Sequence, residues 1–317
     1  MGLQEGEHVL IVADRPTLKV GDALREESER ITPRANVKLF VLEDLARRPL
    51  AVLPGEVLAS IPWAQVTFWA AQSRPGELGA RGRFIDETKR NARHGHMPGI
   101  TESLMAQGMC ADYDEVYELT HKIQAMAAKA KEITVSNRFG VKLQAEFKKS
   151  LRWVPSDGRY HERGKWGNLP EGETFTAPYK VNGRLVTNLL GDWFTERYGN
   201  FKDSLSFSVE DSLIKLESLD CGNADLKRDI TKYLTTDANS SRAGEFALPT
   251  NPLLISRPTV GNLLQDEKAR VHIAFGDPYP DETGAKWDSK THVDALLEEC
   301  DVAFDGRKIM EKGRYVV

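Results

Sequence analysis

The apolar positions of the chain change their period before its midpoint. Near the N-terminus, His8 to Ala13 is a continuous β-prone run, and Leu18 to Ile31 carries Val20, Ala23, Leu24 and Ile31 at helical spacing. Asn36 to Leu42 and Gln65 to Ala71 are again short apolar runs, with a helical piece near Gly55 to Ile61 between them. Strands alternating with helices at this spacing predict βαβ units and a parallel sheet. A long amphipathic helix is predicted over 111–131, capped by Asp112 or Asp114, with Val116, Leu119, Ile123, Met126, Ala127 and Ala130 as its buried stripe. From Glu132 onwards strands follow one another: Ile133 to Val135, Val141 to Phe147, Leu205 to Val209 and Leu213 to Leu219. The last two are joined by a turn at Glu210, Asp211 and Ser212 into a hairpin. A single helix interrupts them, capped by Asn223 and lined by Leu226, Ile230, Tyr233 and Leu234. The pattern predicts an α/β N-terminal domain over 1–131, a small parallel sheet with helices. A strand-rich α+β C-terminal domain is predicted over 132–317.

Composition narrows the function. Of the 317 residues, 40% are hydrophobic and 28% charged, the ordinary balance of a globular enzyme. Lysine plus arginine number 43 against 47 acidic residues, so no basic field invites nucleic acid. Cys110, Cys221 and Cys300 are too far apart for a CxxC knuckle or a disulfide framework. The N-terminus lacks a basic-then-apolar signal and no apolar run approaches the length of a membrane span, so a cytoplasmic protein is expected. After the first strand stands Ala13-Asp-Arg-Pro-Thr-Leu18 rather than a glycine-rich turn, which argues against a dinucleotide site.

The residues that carry chemistry fall in the second half. Val271 to Phe275 is a strand followed by a Gly-Asp-Pro turn, and His292 and Asp294, two apart, share one face of another strand. Imidazole nitrogen and carboxylate oxygen on one rigid face suit a metal ion. Glu173, Glu245, His272, Tyr279, His292 and Asp294 together exceed the needs of one tetrahedral site and match a pair of cations with flanking carboxylates. Glu267, five residues before His272, is the candidate general base; an odd offset along a strand requires a bend between the two. Tyr279 either binds metal or hydrogen-bonds an oxyanion, and the turn at Gly276 to Pro278 would swing its ring towards His272.

Four segments in register resemble the thermophilic aminopeptidase family (aminopeptidase T and AmpS metallopeptidases). They are Asn168-Leu-Pro-Glu-Gly-Glu-Thr-Phe-Thr-Ala-Pro178, Gly244-Glu-Phe-Ala247, Glu267-Lys-Ala-Arg-Val-His-Ile-Ala-Phe-Gly276 and Thr291-His-Val-Asp294. The resemblance covers roughly residues 165–317. It implies two divalent ions (Zn, Co, Mn or Mg) at Glu173, Glu245, His272, Tyr279, His292 and Asp294. It also implies a homodimer with a partly enclosed site that removes N-terminal residues from short peptides or cleaves a related small amide, with no nucleic-acid or membrane partner. The compact layout also resembles the 2,5-dihydroxypyridine ring-cleaving dioxygenases, where one Fe(II) would sit on His272, His292 and Asp294. That branch would not need the first glutamate; the chain keeps both Glu173 and Glu245, which favours the hydrolase. Two other segments are expected outside the centre: His94 and His96 in a solvated loop, and 152–166 as an exposed aromatic connection in which Arg159 or Arg163 is available to a substrate carboxylate.

Overall fold

The computed structural model describes residues 1–72, 74, 76–191, 193–256 and 262–317. The chain is a mixed α/β protein in two compact units, one of residues 1–113 with 158–171 and one of 114–157 with 172–317. In the first unit, β1 (Val9–Ala13), β2 (Val37–Val41), β3 (Val66–Trp69) and β4 (Arg93–His96) are parallel. In the second, β5 (Glu132–Ser136) and β6 (Lys142–Glu146) open an antiparallel sheet, and β7 (Val154–Ser156) belongs to another. The chain then returns to the first unit as β8 (Trp166–Asn168), a fifth parallel strand beside β4, giving the order β2-β1-β3-β4-β8.

The first sheet confirms the predicted βαβ reading and extends it. Every residue of β1 is buried, as a strand covered on both faces requires, and Leu10 and Val12 pack with Leu42, Val57, Trp69 and Phe84. The helix predicted over 18–31 spans Leu18–Glu29. Where the glycine-rich turn would stand, Asp14 closes a side-chain turn onto Thr17 and accepts from buried Arg48, which also pairs with Glu77. A charged network therefore fills the end of β1.

The expected solvated loop at His94 and His96 is not found. Both lie in β4, a buried interior strand, with His94 Nδ1 2.9 Å from Thr67 Oγ1 and His94 Nε2 3.2 Å from His96 Nδ1. Gly95 is what makes this possible: a Cβ there would lie 2.9 Å from Leu169 and 3.0 Å from Phe68. Strand backbone pairing, absent from the local His-Gly-His pattern, overrides its polar appearance. The 152–166 connection is divided between the two units: Trp153 is buried in one core, and Arg163 bonds Asn91 in the other.

In the second unit the remaining strands are β9 (Glu173–Thr176), β10 (Lys180–Thr187), β11 (Leu205–Glu210), β12 (Leu213–Ile214), β13 (Ala243–Pro249), β14 (His272–Gly276), β15 (His292–Leu296), β16 (Asp301–Phe304), β17 (Arg307–Glu311) and β18 (Arg314–Tyr315). They form an eight-stranded sheet, β12-β11-β10-β6-β5-β16-β17-β18, and a five-stranded one, β15-β14-β13-β9-β7. The predicted hairpin is β11–β12, turned by Asp211 and Ser212 at positive φ (49° and 69°), the handedness that matches strand twist. Its second strand is shorter than predicted, because 216–218 turns into a 3-10 helix. The helix at 224–233 is capped by Asn223 as predicted.

The long helix spans Tyr113–Ala127. Its Ile123 and Ala127 share a core with Ile133, Val135, Leu143 and Ala145 of β5 and β6. All of the helix but Tyr113 therefore belongs to the second compact unit, and the units part between 113 and 114 rather than after 131.

Candidate metal centre

The five-stranded sheet places the candidate ligands by register alone. Residues directly opposite in antiparallel strands point to one face, as do residues two apart in one strand. Ala274 in β14 is opposite Glu245 of β13 on one side and Asp294 of β15 on the other. His272 and His292 each lie two positions away along their own strands. Glu173 of β9 is opposite Pro249, four residues along β13 from Glu245. Five candidate ligands thus share one face, around an alanine small enough to leave room.

Glu245 stands at the end of the regular ladder of β13. Ala243 pairs with Phe275 but Glu245 with Ala274, so β13 carries a bulge at Gly244. A Cβ on Gly244 would lie 2.5 Å from the Gly276 carbonyl oxygen, so glycine is required for that approach. Gly191 plays a similar part: its N–H donates to the Asp294 carbonyl at 2.8 Å, and a Cβ would lie 2.5 Å from Asp294 Oδ2.

The side chains form two adjoining clusters, Glu173–Glu245–His272 and Glu245–His292–Asp294, with Glu245 common to both. His272 Nε2 lies 3.6 Å from Glu173 Oε2 and 3.8 Å from Glu245 Oε1; His292 Nε2 lies 3.3 Å from both Glu245 Oε2 and Asp294 Oδ1. Each imidazole is aimed by its other nitrogen: His272 Nδ1 donates to the Arg270 carbonyl (3.1 Å) and His292 Nδ1 to the Asp277 carbonyl (2.9 Å). Glu173 Oε2 is buried with no hydrogen-bond partner among the described residues. Backbone-anchored imidazoles facing clustered carboxylates, one with an orphaned oxygen, fit divalent cations bound through nitrogen and oxygen.

The electrostatics describe the same cavity with protons alone. Burial would depress His272, but Glu245, Glu173 and Asp294 raise it to about 10. His292 is likewise raised well above its ordinary value against burial, by Tyr279, Asp294 and Glu245. Burial pushes Glu173 up to about 7 despite Lys268 and His272 beside it. Glu245 is held well below the carboxylate range, against burial, by its two imidazoles, and Asp294 is lowered by His292. The cluster is a sink for positive charge.

Tyr279 and Glu267 are carried by turns. Tyr279 has φ 51° and ψ 66°, a left-handed conformation uncommon for a bulky residue, fixed by its N–H donating to Asp277 Oδ1 at 2.8 Å. Its ring rests on His292, with centroids 4.8 Å apart, rather than on His272. The residue is 40% exposed, yet burial of its hydroxyl and the acids Glu245, Asp294 and Glu267 raise the phenol above its ordinary pKa. Glu267 is not on the strand; it opens a one-turn helix, Glu267–Ala269, which supplies the bend its offset required. Sequence reasoning passed over Lys268 in the same turn, whose buried ammonium lies 2.5 Å from Glu173 Oε1 and 3.0 Å from Glu267 Oε1. Its only sequence signal was its place between two residues already singled out.

Among known proteins, the family model described as thermophilic metalloprotease (M29) matches residues 64–315. Aminopeptidase 2 of Geobacillus stearothermophilus is 31% identical over 156 residues, 44% of this chain and 36% of the relative. Aminopeptidase T of Thermus aquaticus is 30% identical over 176 residues, 47% of this chain and 40% of the relative. The matched stretches therefore span well under half the length of these curated relatives. Two solved structures share the fold across 99% of this chain. They are 2,5-dihydroxypyridine dioxygenase from Pseudomonas putida KT2440 (TM-score 0.70, 16% identity, 93% of that chain) and wild-type AmpT from Thermus thermophilus (TM-score 0.68, 17% identity, 95% of that chain). In the described residues no helix is long and apolar enough to cross a membrane.

Proposed function

The chain belongs to the thermophilic metalloprotease family (M29), and on that premise we propose that it is an aminopeptidase with a centre for two divalent cations, acting on short peptides or related small amides. The observation that carries the reading is Glu245, one carboxylate common to two ligand clusters. Glu173 and His272 would complete one position, His292 and Asp294 the other, with Tyr279 at the rim. Divalent cations in such a centre supply Lewis acidity, polarising a carbonyl and acidifying a water.

The chain's own groups then have these roles. Glu267 accepts a proton from the attacking water and returns it to the leaving amine. Lys268, 3.0 Å away, holds that carboxylate in place. Tyr279, whose ring rests on His292 at the rim, would donate a hydrogen bond to the developing oxyanion. A homodimeric, cytoplasmic state is part of this proposal, on the strength of the family resemblance; sedimentation would measure the former.

Metal content per chain, by elemental mass spectrometry on protein purified without oxygen, tests the reading together with hydrolysis of di- and tripeptides. Two equivalents of Zn, Co, Mn or Mg and release of the N-terminal residue are expected. Activity is expected to fall at least about a hundredfold in Glu245→Gln, in line with losses on removing a group that stabilises the transition state. Full activity in that variant would refute it. The fold shared with the dioxygenase supports a second reading, one Fe(II) on His272, His292 and Asp294. One equivalent of iron with oxygen uptake on a dihydroxypyridine would establish it.

A further inference from the structure

The two clusters differ in one respect that neither ligand type nor register accounts for. Among the described residues, the ion pairs of Glu245 and Asp294 are all with imidazoles. Glu173 has in addition a permanent cation on it. Lys268 Nζ lies 2.5 Å from Glu173 Oε1, and the lysine side chain is only 4% exposed, so little water screens its charge. Its one-turn helix fixes it there: Glu267 on the same turn takes the ammonium at 3.0 Å, so the lysine is braced between two carboxylates.

The consequence follows from charge. A divalent cation in the Glu173–Glu245–His272 position has the unpartnered Glu173 Oε2 to bind, while the ammonium keeps Oε1. Ammonium and cation then share one carboxylate, and like charges in a buried site repel. Among the described residues, no lysine or arginine is ion-paired to the Glu245–His292–Asp294 position. We propose that Lys268 makes the two positions unequal, so that the Glu245–His292–Asp294 position fills first and the Glu173–Glu245–His272 position only at higher free metal. The inference rests on the two-cation reading above. It adds that the second cation is an adjustable component, set by Lys268.

The test is calorimetric titration of chelator-stripped full-length protein with Zn(II) at constant pH. Wild type is expected to bind in two steps separated by about tenfold to a hundredfold, the range that neighbours of metal ligands command. Glu173→Gln should abolish the weaker step alone, and Asp294→Asn the tighter. Lys268→Gln, which keeps a donor for Glu173 and removes the charge, should tighten the weaker step by about tenfold or more and close the gap. Lys268→Arg should leave the gap open. Circular dichroism checks each fold; should Lys268→Gln not fold, the wild-type gap and the Glu173→Gln assignment still decide. Two equal steps in wild type, loss of the tighter step in Glu173→Gln, or a gap indifferent to Lys268→Gln would overturn the inference and leave the two-cation reading standing. No binding by wild type would remove both.

Discussion

Acidification should loosen the first unit through the histidine pair of β4. His94 is fully buried, and burial, with Lys89 nearby, lowers its pKa to about 3 despite the bond from Thr67. His96 is lowered well below its ordinary value by burial and by its neighbours His94 and Arg81. Unfolded, each imidazole titrates near pH 6.5. The folded state therefore refuses protons that the unfolded state takes up. Its stability is complete above pH 6.5 and declines as the pH falls from there towards the folded pKa near 3. By pH 5.0 His94 alone has removed about 2 kcal/mol, from about 1.4 kcal/mol per pH unit over the 1.5 units below its unfolded pKa. Hydrogen exchange over residues 93–96, corrected for the intrinsic pH dependence of exchange, should lose about thirtyfold in protection between pH 7.5 and 5.0, the same energy as a ratio. The double variant His94→Gln, His96→Gln lacks the titrating groups and should lose much less. Equal losses in the two proteins would refute the argument.

Two further changes test packing around the charges. Gly191→Ala puts a methyl where Asp294 Oδ2 stands, so divalent-cation affinity should fall about tenfold to a hundredfold with little change in melting temperature; equilibrium dialysis against Zn(II) measures it. Arg48→Met strips Asp14 and Glu77 of their buried partner, and urea denaturation at neutral pH should show a loss of about 3–5 kcal/mol.

What could be read from the sequence was whatever local periodicity encodes. The apolar run of β1, the Asn223 cap and the stripe of the long helix as far as Ala127 are local and stand where expected; the helix is shorter than the predicted 111–131, and Ala130 lies beyond its end. His292 and Asp294 share a face because a strand has a period of two, and that too is local. What escaped depends on distant chain. β4 looks polar and is buried, because β3 and β8 flank it and Gly95 leaves room for Phe68 and Leu169. The bulge at Gly244, immediately before Glu245, is a slip of register that alternation cannot announce. Lys268 belongs to the centre through a turn that the sequence suggested only as a bend near Glu267.

The sheet that carries the centre also gives it a mechanical meaning. Glu173, Glu245, His272 and Asp294 come from β9, β13, β14 and β15, four strands that lie side by side. A cation held among them would crosslink these strands in addition to their ladder hydrogen bonds and the core packing of Phe246, Ile273, Phe275 and Val293. β15 is the last strand of that sheet, bonded to β14 on one side and on the other to residues 189–191, through Gly191 N–H to the Asp294 carbonyl and Leu296 N–H to the Leu189 carbonyl. Loaded, it would be tied inward by metal as well as by backbone on both sides. Cation supply would then set how firmly this last strand is held, and the lifetime of the protein would follow the metal that it holds.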